Sequence, residues 1–221
     1  MFKDFTHHAY QFAFFTDGAD IPSDEFNVAC RKRLNIGKFN PSFVPEFPGM
    51  PDEIPRLQIQ SETGYVITLS KVRVDVIVDR AYGLSDEDRA QFKANIVTLI
   101  GILKEYDFKA SRVGLVKRYL KVMENPSRFV SNLFGGKGNE SFVDFGVNAV
   151  KRTELLARQC NDIFNITSGV IRGAEPGVVA FRDITVVPGQ GIIEPDEIKE
   201  FIPLADGALS MESLASLVGG A

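Results

Sequence analysis

Histidine and cysteine are the side chains from which nucleophilic and zinc sites are usually built, and both are scarce in this chain. The only histidines are His7 and His8, and the only cysteines are Cys30 and Cys160. Neighbouring residues on a strand point to opposite faces, so His7 and His8 cannot hold one metal ion together. We expect both to be surface or edge residues, and no Ser-His or Cys-His pair is indicated. We therefore predict no catalytic residues, no metal site and no cofactor.

Two short segments resemble active-site motifs but lack the spacing that their chemistry needs. Residues 195–199 read PDEIK, which contains fragments of the PD…ExK pattern of a nuclease superfamily. That chemistry needs the Asp and the Glu-x-Lys on separate elements, to cage a metal ion. Residues 135–141 are glycine-rich with one lysine, but they lack the order of a phosphate-binding loop. A carboxylate-only magnesium enzyme stays open as the third alternative.

The distribution of charge is the most informative chemical feature of the chain. Residues 109–137 contain seven basic residues and one acid, and residues 183–221 contain seven acids and one lysine. The basic segment could bind an anionic ligand, meet the acidic segment within one chain or between copies, or simply face solvent. The candidate anion-binding residues are Arg112, Lys117, Arg118, Lys121, Arg128 and Lys137.

The composition is that of a soluble globular protein. The chain has 221 residues, a net charge of -4, and 44% hydrophobic and 24% charged residues. This length can bury a core without disulfides, and the negative charge argues weakly against wholesale nucleic-acid binding. The two cysteines make no disulfide framework, and no secretory segment or apolar run of about 18 residues is present. We therefore expect a cytoplasmic protein with no membrane partner.

The first half of the chain predicts a β-rich layer with two helices. Period-2 alternation places Val72, Val74, Val76 and Val78 on one face, within a three-stranded meander over residues 56–79. The turn between its first two strands is Glu62-Thr63-Gly64. The other predicted elements are a strand at 9–16, a helix at 23–34, a helix at 85–106 that begins with a capping-box-like Ser85 and Asp88, and a strand at 110–122.

Residues 37–55 interrupt this order with five prolines and three phenylalanines. Proline excludes a regular helix or a central strand, so we expect an extended connector that the phenylalanines strap across the core. A partner-docking arm is the alternative. The order of elements predicts an α+β fold, with an antiparallel sheet and a ferredoxin-like β-α-β(β)β-α-β first half.

The second half predicts further antiparallel strands and short C-terminal helices. Residues 127–141 are expected to be a flexible loop, followed by strands at 142–150, from about 161, and at 177–187. Residues 153–166 fit a helix as well as a strand. Short helices are expected at 196–202 and from Ser210. We divide the chain into a ferredoxin-like half, 1–124, and a strand extension with acidic helices, 125–221, within one continuous domain.

Residues 112–120, RVGLVKRYL, resemble a strand of a sporadically distributed, uncharacterised bacterial family. Its members carry R-x-G-L-R-Y-I-N after a long helix, preceded by paired strands with an acidic-Gly turn. This chain has Val116-Lys117 inserted before Arg118-Tyr119, and Leu120-Lys121 where the family has Ile-Asn. The family has no established activity, so the resemblance implies a fold only. Its distribution is typical of mobile elements or defence conflicts.

These observations favour a binding role over an enzymatic one. The leading hypothesis is a non-enzymatic macromolecular interaction protein, phage- or mobile-element-encoded, that binds another protein or itself as a homo-oligomer. The alternative is an anion-, nucleotide- or RNA-binding module that uses the basic strand and the glycine-rich loop over residues 109–137.

Overall fold

The structure is a computed structural model that describes residues 4–133, 144–171, 173, 175–210 and 213. The strands in these residues are β1 (Thr6–Phe15), β2 (Phe39–Phe43), β3 (Leu57–Ser61), β4 (Tyr65–Leu69), β5 (Arg73–Asp79), β6 (Arg112–Val122), β7 (Gly146–Leu155), β8 (Arg158–Ile171) and β9 (Glu175–Val186). The helices are α1 (Ser23–Arg33), α2 (Asp86–Glu105), α3 (Pro126–Leu133) and α4 (Pro195–Ala208).

All nine strands belong to one open sheet with the order β2-β3-β4-β5-β1-β6-β9-β8-β7, and every neighbouring pair is antiparallel. The α+β fold with an antiparallel sheet is therefore confirmed. Within the order β6-β1-β5-β4, β1 and β4 run parallel with β5 between them, and β5 and β6 run parallel with β1 between them. Helix α1 lies in the connection from β1 to β4, and α2 connects β5 to β6. These are the two split β-α-β units of a ferredoxin-like arrangement.

The predicted meander is β3, β4 and β5, and its alternation sets which side is buried. Val74, Val76 and Val78 are buried, whereas the residues between them are half-buried on the other face. The turn between β3 and β4 needs Gly64, whose φ is +72°. A Cβ at Gly64 would lie 2.5 Å from the carbonyl oxygen of Asp79, so backbone packing also excludes a larger residue here.

Helix α2 begins and packs as its sequence predicts. The Ser85 hydroxyl accepts a hydrogen bond from the Asp88 N–H, and the Asp88 carboxylate accepts one from the Ser85 N–H, which completes a capping box. Helical spacing then directs one apolar stripe onto the sheet. The buried residues of that stripe include Phe92, Ile96, Leu99 and Leu103.

The helices cover one face of the sheet. Every second side chain of the strands points to this face. These side chains, such as Phe12 on β1 and Leu115 on β6, form the main core with α1, α2 and α4. A smaller cluster on the same face joins α3 to β8 and β9, where Val130 packs with Phe164 and Ile166. The opposite face, called here the open face, carries no helix among the described residues. No helix in the described part of the chain has both the length and the apolar character needed to cross a membrane.

The connector over residues 37–55 differs from its expectation in two respects. Part of it forms β2, an edge strand, where Pro41 is tolerated because an outer edge needs no donor. Of its phenylalanines, Phe39 packs against the core, but Phe43 and Phe47 are 49% and 58% exposed. The prediction that all three strap across the core is wrong, because β2 lies at the end of the sheet, two strands beyond the ferredoxin-like unit.

The second half extends the same sheet, since β9 pairs with β6. Residues 153–166 are strand, and a two-residue turn at Leu156-Ala157 joins β7 to β8. Part of the predicted loop forms α3, while residues 134–143 lie outside the described residues. Helix α4 runs to Ala208, beyond the predicted end, and buries Ile198, Phe201, Ile202 and Ala205. The predicted helix from Ser210 falls largely outside the described residues.

Candidate functional site

The six candidate anion-binding residues do not form one surface. Alternation along β6 directs Lys117 and Lys121 to the helix-covered face, and Arg112 and Arg118 to the open face. Lys121 lies 3.1 Å from the Asp4 carboxylate. Arg128 lies on α3, and Lys137 lies outside the described residues. Whether any of these residues binds an anion stays a prediction, but a single basic strip along β6 is not present.

Lys117 is buried, and its ammonium group binds Asp206 of α4. Its Nζ lies 2.5 Å from Oδ1 of Asp206 and donates to the Asp206 carbonyl oxygen at 2.7 Å. Asp206 also accepts hydrogen bonds from the Tyr10 hydroxyl and from Lys93 Nζ. Burial alone would raise the pKa of Asp206, but the hydrogen bonds from Lys117, Lys93 and Tyr10 outweigh it and lower this pKa to about 2. Burial lowers the pKa of Lys117, and its bonds to Asp206 oppose that shift.

His7 lies beside this cluster, in a central strand. Its ring centroid is 4.3 Å from that of Tyr10 and 5.0 Å from that of Tyr119. Burial, followed by the nearby Lys117 charge, lowers the pKa of His7 to about 3, so the imidazole is neutral at physiological pH. The expectation that His7 is a surface or edge residue is wrong, because its ring lies half-buried against Tyr10 and Tyr119 on the face that the helices cover.

The charged residues continue from Lys117 across the neighbouring strands, and this set is called here the polar row: Lys117 on β6, Arg182 on β9, Asp162 on β8 and Lys151 on β7. Arg182 on β9 is the register partner of Lys117 and is 1% exposed. Its Nη2 lies 3.1 Å from Oδ1 of Asp162 on β8, and Lys151 Nζ on β7 lies 3.2 Å from Oδ2 of the same residue. This paired arrangement is what a buried charge requires.

The cations of the polar row, together with the Tyr119 hydroxyl, also donate hydrogen bonds to carbonyl groups at the end of α4. Lys117 donates to Asp206, Arg182 donates to Ala208 at 3.3 Å, and Tyr119 donates to Leu209 at 2.8 Å. The last carbonyls of a helix have no intrahelical donor and carry partial negative charge. The row therefore positions α4 on the sheet and is a structural feature. Its sequence signal was Lys117 at a buried position of the alternation Val113, Leu115, Lys117, Tyr119.

The open face contains a pocket of about 630 Å³ at one end of β1, β5 and β6. Arg73 and Arg112 occupy opposite sides of Phe15 in the register, with guanidinium carbons 4.6 and 3.7 Å from its ring centroid. Arg73 Nη2 donates to Oδ1 of Asp75 at 2.6 Å, and this oxygen also accepts from Gln11 at 2.7 Å. The side chain of Arg112 has no hydrogen bond or ion pair among the described residues.

The charged residues at the start of α4 have structural partners. Lys199 Nζ donates to Asp196 at 2.8 Å, one helical turn away. Glu197 accepts hydrogen bonds from Arg158 on β8, which also donates to the carbonyl oxygen of Ile192 at 2.8 Å. The PDEIK segment thus starts and anchors a helix, in agreement with the short helix expected at residues 196–202.

Comparison with known proteins adds no assignment. No protein-family model matches the chain, and the search of curated proteins finds no significant match. The resemblance of residues 112–120 to the uncharacterised bacterial family therefore stays a prediction.

Proposed function

We propose that the protein is an interaction protein that associates with a second copy of itself by pairing along the outer edge of β7. The observation that carries this proposal is the length and exposure of β7. It is ten residues long and ends the sheet, and no described strand lies on its outer side. Residues 148–152 are all exposed. An edge of this kind is a template for strand addition.

Two hydrogen bonds identify which backbone groups of β7 face outward. The Val187 N–H donates to the Gln159 carbonyl oxygen. Because the backbone groups of successive residues in a strand point to alternate sides, the odd-numbered residues of β8 form hydrogen bonds with β9 and the even-numbered ones with β7. Ser168 N–H donates to Phe145, in agreement. The odd-numbered residues of β7 consequently bond to β8. The outward N–H and C=O groups belong to Gly146, Asn148, Val150, Arg152 and Glu154.

A two-fold axis through Val150 uses all five outward residues. Val150 then pairs with itself, Asn148 with Arg152, and Gly146 with Glu154 of the other copy. This register forms about ten backbone hydrogen bonds, two for each hydrogen-bonded pair. It joins two nine-stranded sheets edge to edge and satisfies the isologous symmetry of a dimer.

Charge selects this register over its neighbours. With the axis at Val150, Lys151 faces Ala149 and Arg152 faces Asn148, so no like charges are directly opposed. An axis at Lys151 or at Arg152 would place that residue opposite itself, which is destabilising. The other edge, β2, is less suited, because it is five residues long and contains Pro41.

Light scattering coupled to size exclusion tests the association. We expect a dimer for the natural chain and a monomer for Val150→Lys, since that change opposes two ammonium groups at the axis. The matched control is Val28→Lys on α1, where the valine is 46% exposed, close to the 56% of Val150. It should remain a dimer. A natural chain that is monomeric at every concentration contradicts the proposal.

Cysteine substitution tests the register. Directly opposed residues of a hydrogen-bonded pair have Cα atoms about 5.5 Å apart, which suits a disulfide. Val150→Cys should therefore cross-link two copies on oxidation. Asn148→Cys should not, because its two copies would lie about 14 Å apart along the strands. Adding Arg152→Cys to Asn148→Cys should restore the cross-link. The natural cysteines are buried and should not compete. Equal cross-linking of both single variants would reject the Val150 axis.

A further inference from the structure

We infer that the pocket of the open face is a binding site for a small organic acid with one anionic group, a carboxylate or a phosphate, which is held by Arg112. This inference concerns a different surface from the β7 edge and does not depend on dimer formation. The pocket volume of about 630 Å³ lies in the range of small-molecule sites.

The absence of a carboxylate partner distinguishes Arg112 from two other arginines of the open face. Arg73 is paired with Asp75 at 2.6 Å, and Arg118 lies 3.6 Å from Asp79. Arg112 has no acid within 4 Å in the part of the chain that the structure describes. Its Nε is buried and has no hydrogen-bond partner there. A partly desolvated guanidinium in this state is suited to a carboxylate or phosphate, which it can bind with two parallel N–H donors.

The packing of Arg112 fixes the position of this charge. Its guanidinium carbon lies 3.7 Å from the centre of the Phe15 ring, so the side chain is held flat against the strand surface. Burial and the neighbouring Arg73 charge both lower the pKa of Arg112, and Asp183 opposes them only through space. The Asp183 carboxylate takes its hydrogen bond from Thr185 at 2.5 Å. An incoming anion would supply the missing negative charge.

The wall of the pocket beside Arg112 includes the loop between β9 and α4. Gly189 and Gly191 line the pocket and have φ values of +84° and +79°. A Cβ on either residue would meet no atom within 4 Å, so the loop backbone borders open space. Neither N–H takes part in a hydrogen bond among the described residues. Free backbone N–H groups in a glycine loop are suitable donors to anionic oxygens.

The remaining charges limit the ligand to one anionic group. Asp17 and Glu53 also line the pocket, and both are exposed without an ion pair in the described part of the chain. Their negative charges would repel a polyphosphate more strongly than a ligand with one carboxylate or phosphate group, whose charge Arg112 can offset wholly or in large part. The rest of the lining includes Phe15, Val72 and Ile192, which suits an apolar body attached to the anionic group.

Nitrogen-15 NMR titration of the purified full chain with acetate, and separately with inorganic phosphate, tests the site. We expect the Arg112 Nε–H and the amides of Gly189 and Gly191 to shift along one saturable curve with at least one probe. Arg112→Gln should weaken that binding at least tenfold. Arg112→Lys, which keeps the charge and the packed stem but loses the planar fork, should be intermediate.

Arg118→Gln is the matched control. Arg118 lies on the same face of the same strand, stacks 4.9 Å from the Phe181 ring, and also has a buried Nε without a partner, but it is paired with Asp79. The Arg118→Gln variant should bind the probes as the natural chain does. The inference is overturned if neither probe saturates, if Arg112→Gln binds unchanged, or if Arg118→Gln weakens binding equally. Tighter, Arg112-dependent binding of tripolyphosphate would overturn the restriction to one anionic group.

Discussion

The ammonium group of Lys117 and the carboxylate of Asp206 form an ion pair between β6 and α4, with side chains that are 8% and 19% exposed. Lys117 belongs to the basic segment of the chain, and Asp206 belongs to the acidic one. The two segments therefore meet within one chain at this point. This contact uses a charge that a head-to-tail association between copies would need, and the proposed dimer accordingly depends on backbone pairing at β7.

Removing the carboxylate should be costly, because it leaves the buried ammonium group of Lys117 without a carboxylate partner. We expect Asp206→Asn to lower the free energy of unfolding by about 3 kcal/mol, at the lower end for a broken buried ion pair, since Lys93 can turn towards water. Urea denaturation followed by circular dichroism measures this loss.

A double variant separates the cost of the unpaired buried charge from a general loss of packing. Adding Lys117→Met to Asp206→Asn should recover part of the stability, because the unpaired buried ammonium is then gone. Glu105→Gln is the control, since it breaks the exposed ion pair with Arg33 and should change the unfolding midpoint little. A double variant less stable than Asp206→Asn alone would show that this pair is not a unit.

His7 should make the protein sensitive to mild acid. Its folded-state pKa of about 3 lies below the ordinary value of 6.5, so the unfolded chain binds a proton more readily. Above pH 6.5 neither state is protonated and no penalty exists. As the pH falls from 6.5 towards 3, the free energy of unfolding should decrease by up to about 1.4 kcal/mol per pH unit from this residue. His7→Phe keeps an aromatic ring between Tyr10 and Tyr119 and should remove that part of the slope.

The free energy of unfolding is measured across the pH range for the natural chain and for each variant. The difference between the two curves is then used, because other acidic groups also titrate. His8→Phe serves as the control, since His8 follows directly on the same strand but lies beside Asp79 at 3.1 Å. It should leave the slope from His7 in place. Parallel curves for the natural chain and His7→Phe between pH 6.5 and 4 would show that the ring is protonated freely in the folded state.

Local sequence patterns predicted the elements whose residues all agree with one periodicity. The alternating valines of β5 and the Ser85–Asp88 capping box of α2 are examples, and both lie in the correctly predicted ferredoxin-like half. The order of elements in the first half matched the ferredoxin-like pattern, in which each helix connects two strands that lie parallel with one strand between them. The second half extends the sheet because β9 pairs with β6. These strands are far apart along the chain, and no local sequence pattern indicates that they pair.

The anion-binding prediction failed to account for the alternation of β6. Counting charges along the chain grouped Arg112 with Lys117, although an odd separation on a strand places two side chains on opposite faces. The sequence left open that the basic and acidic segments meet within one chain. It could not indicate that Lys117 pairs with Asp206, because these residues are far apart along the chain. Of the six candidates, Arg112 is the one that the geometry leaves with an open pocket and without an acidic partner in the described residues.

The turn between β7 and β8 was also not indicated by the sequence. It gives a prediction in which a substitution stabilises the protein, whereas Asp206→Asn destabilises it. Leu156 and Ala157 adopt φ values of +53° and +58°, which is unfavourable for residues with a Cβ. Two-residue hairpin turns of this kind normally contain Asn-Gly, so the pattern did not indicate a turn. Ala157→Gly should therefore raise the free energy of unfolding by about 1 kcal/mol.

Ala149→Gly, within β7 of the same hairpin, is the matched comparison for Ala157→Gly. Its residue has no positive φ, so glycine brings only the larger entropy loss on folding, and stability should fall by about 0.5–1 kcal/mol. Thermal and urea unfolding of the two variants, each carrying Val150→Lys so that dimer formation does not contribute, should give shifts in opposite directions. If both glycine variants are destabilised to the same extent, the turn is not strained by a left-handed alanine, and its conformation must have another source.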